Sequence, residues 1–395
     1  METNLHERLK EKIPDNLELT TQKKEEIISA AHDRLVQQQQ PVKKHVWKPV
    51  AVGVSAFALT ILLSYPFIED IKEQLIVSQV TEQSYEEISI PGRSAETLFT
   101  AIFDDATNSF FYFEGGNIYS YAIDTQIETV EMKGELPISK ILVNENWLVW
   151  MCDDKEDVFV KNRKTLEVKE FSTSSFIDLD DDILLTDNDN THSGHTIYRM
   201  TNLRTNEIKQ YKQSFDNSSV SQPIYQDNKL LIPEVVKKDG EEVVRFTLYD
   251  VGTAKEKQYE LPFKGTLDIA LTDQKIYASF ENGKSLETGY VDLVDGSYHK
   301  IDGKKAFSLA AYNNKLAINE FIPKEAKSLF RLYDVNDGSL TSLSDFEDVQ
   351  FALIAPRFTK EGTLQLFGVN EKYISEDGTL EDKDGAVKLY LQRFQ

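Results

Sequence analysis

Between Phe110 and Leu364 a polar turn followed by an apolar strand recurs, and no other property narrows the folds open to this 395-residue chain so far. The copies are ATNSFFYF, VNENWLVWM, DDDILLT, QDNKLLIP, TDQKIYASF, YNNKLAINEF and KEGTLQLFG. Their matching positions are Phe110, Leu148, Ile183, Leu230, Ile276, Leu316 and Leu364, spaced by 38, 35, 47, 46, 40 and 48 residues. Downstream in each unit comes an alternating strand, a tight turn and another strand, as in VFVKNRKTLEVKEF and LFRLYDVNDGSLTSL. Thr165 and Gly338 mark the turns there, where small or left-handed-tolerant residues suit a hairpin. Each unit opens with a further short apolar strand, such as SKILVN or AFSLAAY.

Four strands in a repeat of this length is the period of a β-propeller, in which four-stranded blades pack face to face around a channel. The expected fold is therefore all-β and seven-bladed. The last unit stops at VKLYLQRFQ, which matches a third strand, so its fourth is missing; YEEISIPG (Tyr85 to Gly92), ahead of the first unit, could fill the gap. Closing the ring in this way removes two open sheet edges that would otherwise recruit other strands. A permuted sandwich and a six-bladed ring with one irregular unit are the alternatives.

Pro49 to Phe67 (PVAVGVSAFALTILLSYPF) runs without a charge. As a helix it would cover the roughly 30 Å apolar core of a bilayer, which predicts a transmembrane segment. Lys43, Lys44 and Lys48 precede it and Glu69, Asp70 and Glu73 follow, so the positive-inside bias puts the N-terminus in the cytoplasm and the C-terminal part outside. A cleaved signal peptide does not fit, because nearly fifty residues come first and no small-x-small site follows. The expected division is a cytoplasmic helical segment over 1–48, a membrane helix over 49–67, a juxtamembrane stalk helix over 68–84 and the propeller over 85–395, tethered to the cell membrane by a single pass.

The first 48 residues hold nine basic and eight acidic side chains, which leaves 35 basic and 58 acidic for the remainder. An outer part this acidic repels phosphate backbones, so nucleic acid is not an expected partner. An extracytoplasmic protein, peptide or glycan is. The lone cysteine, Cys152, lies in the apolar run WLVWMCD and reads as a packing residue, and the lack of a disulfide leaves the outer part to hold together by its core.

In residues 1–48, Leu5 and Leu9 recur at helical spacing before Pro14, and Ile27, Ile28, Ala31 and Leu35 form a second stripe ahead of QQQQ. Helices this short with an unburied stripe are marginal alone and call for a partner, the other reading being a passive tail. A segment of this kind (LHERLKEKIPDNLELTTQKKEEIISAAHDRL), one span and a large exported β-rich part together resemble the layout of membrane-anchored anti-sigma factors and related surface sensors of Gram-positive bacteria. The His/Cys/Cys zinc signature of one such group is absent, since His32 has no CxxC partner. The resemblance implies that Leu5, Leu9, Ile27, Ile28, Ala31 and Leu35 contact a sigma factor.

Chemistry is sparse. Asp187, Asp189, His192 and His195 could be imagined around a metal, although His192 stands where an EF-hand loop requires glycine, and a polar loop is the plainer reading. The alternation Asp178, Asp180, Asp182 could present three carboxylates on one strand face, or be a solvated sheet edge. No GxSxG, HExxH or phosphate loop occurs, nor the Asp-box of sialidase propellers. No cofactor and no enzymatic activity are expected on these grounds. The function expected is a single-pass signalling or regulatory protein, with a tethered binding scaffold as the alternative and a wall-directed hydrolase behind it.

Overall fold

The computed structural model describes residues 85–394 apart from 153–156, 174, 191–194, 213–219, 284, 323–326, 337–338, 344–345, 347–348, 375–379 and 384. Seven four-stranded antiparallel sheets form there, each a blade. In chain order blades 1 to 6 cover 102–133, 138–172, 175–212, 224–261, 265–300 and 306–343, and each runs consecutively from its inner strand outward. Blade 7 takes three strands from 352–393, and its outermost strand is Glu86–Ile88 from the other end of the ring. The expected closure by Tyr85 to Gly92 is thus found. Glu86 pairs with Leu391 and Ile88 with Leu389, which buries Ile88 and leaves Glu86 outside to bond Arg393. Burial opposes ionisation of Glu87, but hydrogen bonds from Lys388 and Tyr390 outweigh it and hold its carboxyl below the usual carboxylate range.

Alternation with period two gives every blade two faces, and both are covered by neighbours. Seven apolar clusters result among the described residues, one at each junction. Between blades 1 and 2, for example, Phe111 and Ile118 meet Ile138, Leu148, Trp150 and Cys152; the cysteine is buried in the core as its apolar context suggested. At the closing junction a single helical turn, Ala95–Phe99, is capped by Ser94 and inserts Ala95 and Leu98 among Phe103, Phe110 and Leu389.

No helix among the described residues is long and apolar enough to cross a membrane. The expected span at 49–67 lies outside the described residues, as do the stalk and Leu5, Leu9, Ile27, Ile28, Ala31 and Leu35.

Candidate functional site

The inner strands are where the repeats stop being alike. In five blades the pairing between first and second strand shifts register through a bulge, at Ile138/Lys140, Phe176/Asp178, Thr266/Asp268, Ala306/Ser308 and Ile354/Arg357. A bulge re-aims the side chain that follows it. That following residue is Lys140, Asp178, Asp268, Ser308 or Arg357, and all five line one central cavity of about 1040 Å³. The inner strands of blades 1 and 4 pair without such a shift, and they contribute Ile102 and Ile224 to the same lining.

Several of these side chains also join blades. One Asp178 oxygen accepts from its own neighbour Leu179 N (2.8 Å) and the other from Tyr225 N in blade 4 (3.2 Å). Asp268 repeats the arrangement with Ile269 N (3.0 Å) and Leu309 N in blade 6 (2.8 Å). Burial outweighs those bonds in each case and pushes both carboxyls up to about 6. Lys140 donates to the Phe176 carbonyl of blade 3 (2.6 Å), and burial lowers its pKa although Asp178 and Asp187 counteract this.

Neutral bridges from the second strand join blades 5 and 6 as well, and stand alone from blades 6 and 7. Ser279 Oγ donates to Ala306 O (2.5 Å) and Asn319 Nδ2 to Leu353 O (2.6 Å). Gln365 serves two groups of blade 1, donating to Ala101 O (2.8 Å) and accepting from Phe103 N (2.9 Å).

The turns between first and second strands form an acidic mouth at one end of the channel. Asp104 is held by Arg163 (2.7 Å) and Thr107, and Asp180 accepts from Asp227 N (3.0 Å). Lys360 of blade 7 reaches Asp180 (3.2 Å) and Asp181 (2.8 Å) of blade 3, so one ion-pair cluster crosses the mouth past two intervening blades. Burial raises the pKa of Glu361, and Asp105 and Asp104 add to the rise.

The three aspartates of DLDDD are therefore not a solvated edge. Asp178 and Asp180 belong to an inner strand and line the channel, while Asp182 sits in the turn and accepts from Trp147 Nε1 (2.8 Å). Among the described residues no group of three His, Cys, Asp or Glu side chains could hold a metal ion. Of the imagined metal set, His192 lies outside the described residues; the backbone register puts Asp187 opposite Tyr198, Asp189 opposite Thr196 and Asn190 opposite His195. The sequence offered no route to the Lys140–Arg357 level of the channel, because bulges carry no spelling of their own. The neutral bridges did leave a trace, as single polar residues inside otherwise apolar second strands: KIYASF, KLAINEF and TLQLFG.

No protein-family model and no curated protein matches the chain. Solved structures do. A chain of a mitotic checkpoint complex matches at 10% identity with a TM-score of 0.51, over 90% of this chain and 97% of that one. The β-propeller domain of the trilobed protease from Pyrococcus furiosus matches at 10% identity and 0.50, over 71% and 93%. Acylaminoacyl peptidase matches at 12% identity and 0.52, over 76% of this chain and 53% of that one, so this chain spans about half of the peptidase. Identities this low speak for the fold alone. They nonetheless correct the expectation of a non-enzyme: propellers of this shape occur in a protease and in a peptidase, so the fold gives no ground for excluding catalysis. The seven sheets and these likenesses together establish a seven-bladed β-propeller, a fold that commonly serves protein binding.

Proposed function

We propose that this chain is a single-pass membrane protein of signalling or regulation, in which the propeller is an extracytoplasmic binding module and residues 1–48 engage a cytoplasmic regulator such as a sigma factor. The observation that carries this reading is the charge-free run 49–67, with lysines on one side and carboxylates on the other, placed shortly before a ring that closes on itself. The paired stripes Leu5, Leu9 and Ile27, Ile28, Ala31, Leu35 support an inner partner, since short helices with an apolar stripe gain stability by covering it. A channel with a charged lining supports a binding role outside.

Two measurements test it. Accessibility labelling of a C-terminal tag in intact cells should mark the tag from outside; labelling only after lysis sinks the topology. Crosslinking from residues 1–48 should recover a cytoplasmic protein that is lost when residues 2–40 are deleted, and a deletion without effect on signalling output would leave a tethered scaffold.

A further inference from the structure

The cavity lining is electrically lopsided. Arg357, Ile102 and Lys140, from blades 7, 1 and 2, make one arc, and Asp178, Ile224 and Asp268, from blades 3, 4 and 5, make the opposite one. Both carboxylates are engaged by backbone N–H groups, and the Lys140 ammonium is engaged by a carbonyl. Arg357 differs. Among the described residues its guanidinium enters no hydrogen bond, ion pair or ring contact. It is exposed to the water of the channel yet encircled by protein, which lowers its pKa through desolvation, and its charge is felt at Lys140.

Construction of the ring does not require an arginine there. Gln365 stands directly opposite Arg357 in the strand pair and already supplies both bonds from blade 7 to blade 1. A cation encircled by protein with no carboxylate in contact is less well solvated than one on an open surface, and a guanidinium is the side chain whose planar fork matches a carboxylate.

We propose that Arg357, with Lys140 across blade 1 from it, binds the carboxylate of a ligand seated in the channel. The cavity is of a size that takes a short peptide or a sugar acid. Either would present the same group, as a peptide C-terminus or as a uronic acid. The opposite arc repels a second carboxylate and so fixes which way the ligand points. This inference rests on the propeller being a binding module, and it names what that module recognises.

The test is calorimetric titration of the full chain with trialanine against trialanine amide, and with digalacturonate against neutral digalactose. In at least one pair the acid should bind tenfold or more tightly than its neutral counterpart, and the pair that responds identifies the source. Arg357→Gln should weaken the acid at least tenfold and leave the neutral compound and the unfolding midpoint unchanged, with Arg357→Lys recovering part of the loss. Equal binding of acid and neutral, no heat from either acid at millimolar concentration, unaltered binding by Arg357→Gln, or a lowered midpoint in that variant would each overturn the proposal. If the acid preference is missing while residues 1–48 still capture their partner, only this inference fails.

Discussion

Blades 2 and 3 hold their neighbours with charged side chains on the inner strand, whereas blades 6 and 7 do so with neutral amides on the second strand. Lys140 and Asp178 line the channel and also tie blade to blade. Asn319 and Gln365 take over the tying; opposite them, Ser308 donates to Asn319 Oδ1 (3.3 Å) and Arg357 is left to the channel. Blade 5 does both, through Asp268 and Ser279. The same junction can thus be made in two ways, and only one of them releases the inner strand for recognition.

The largest effect expected from breaking this contrast comes from Gln365→Ala. Gln365 is 2% exposed, and its loss leaves the Ala101 carbonyl and the Phe103 amide buried without their partner. Urea unfolding should show a loss of about 3 kcal/mol, because each orphaned buried group costs about 1–3 kcal/mol. This loss should be the same at pH 4 and pH 7, since no titrating group is involved.

The charged junctions should behave otherwise. A carboxyl raised from 3.8 to about 6 keeps its proton in the fold after the unfolded chain has released it. Its stabilising contribution is therefore complete below pH 3.8 and is lost as pH rises through 6. The stability of the wild type relative to either single variant, Asp178→Asn or Asp268→Asn, should fall on the order of 2 kcal/mol across that window, and a flat difference would show that these aspartates are not the strained members of the ring.

Lys360→Ala should be the mildest change. Its ion pairs with Asp180 and Asp181 lie at a solvated mouth and the lysine is 46% exposed, so unfolding should shift by about 0.5 kcal/mol and the shift should vanish in 1 M salt. A larger shift would mean that the mouth cluster belongs with the junctions.

Much of this architecture can be read from residues alone. The strands stand out because apolar positions alternate and turns are polar, and the closing strand stands out because VKLYLQRFQ ends one strand short of a blade. Reading the channel is harder. SFIDLDDD reads as a plain alternation with three carboxylates on one side, but the bulge between Phe176 and Asp178 changes which residues face inward, and the turn removes Asp182 from the set. A one-residue insertion in a strand leaves the apolar pattern almost intact while moving every side chain beyond it to a new direction. Arg357 shows the same limit. In FALIAPRF it sits among apolar residues with a proline before it, and only the shifted register makes it a channel residue.

The closing strand has a mechanical corollary. Glu86–Ile88 is the outermost strand of blade 7 and also the first strand of the described chain, three residue pairs long. Any tension transmitted from residues before Tyr85 enters the disc through this clasp before it reaches any other blade. Pulling on the leading end would load the Leu389–Leu391 edge first, so the seam that completes the circle is also the point at which the circle would open under strain.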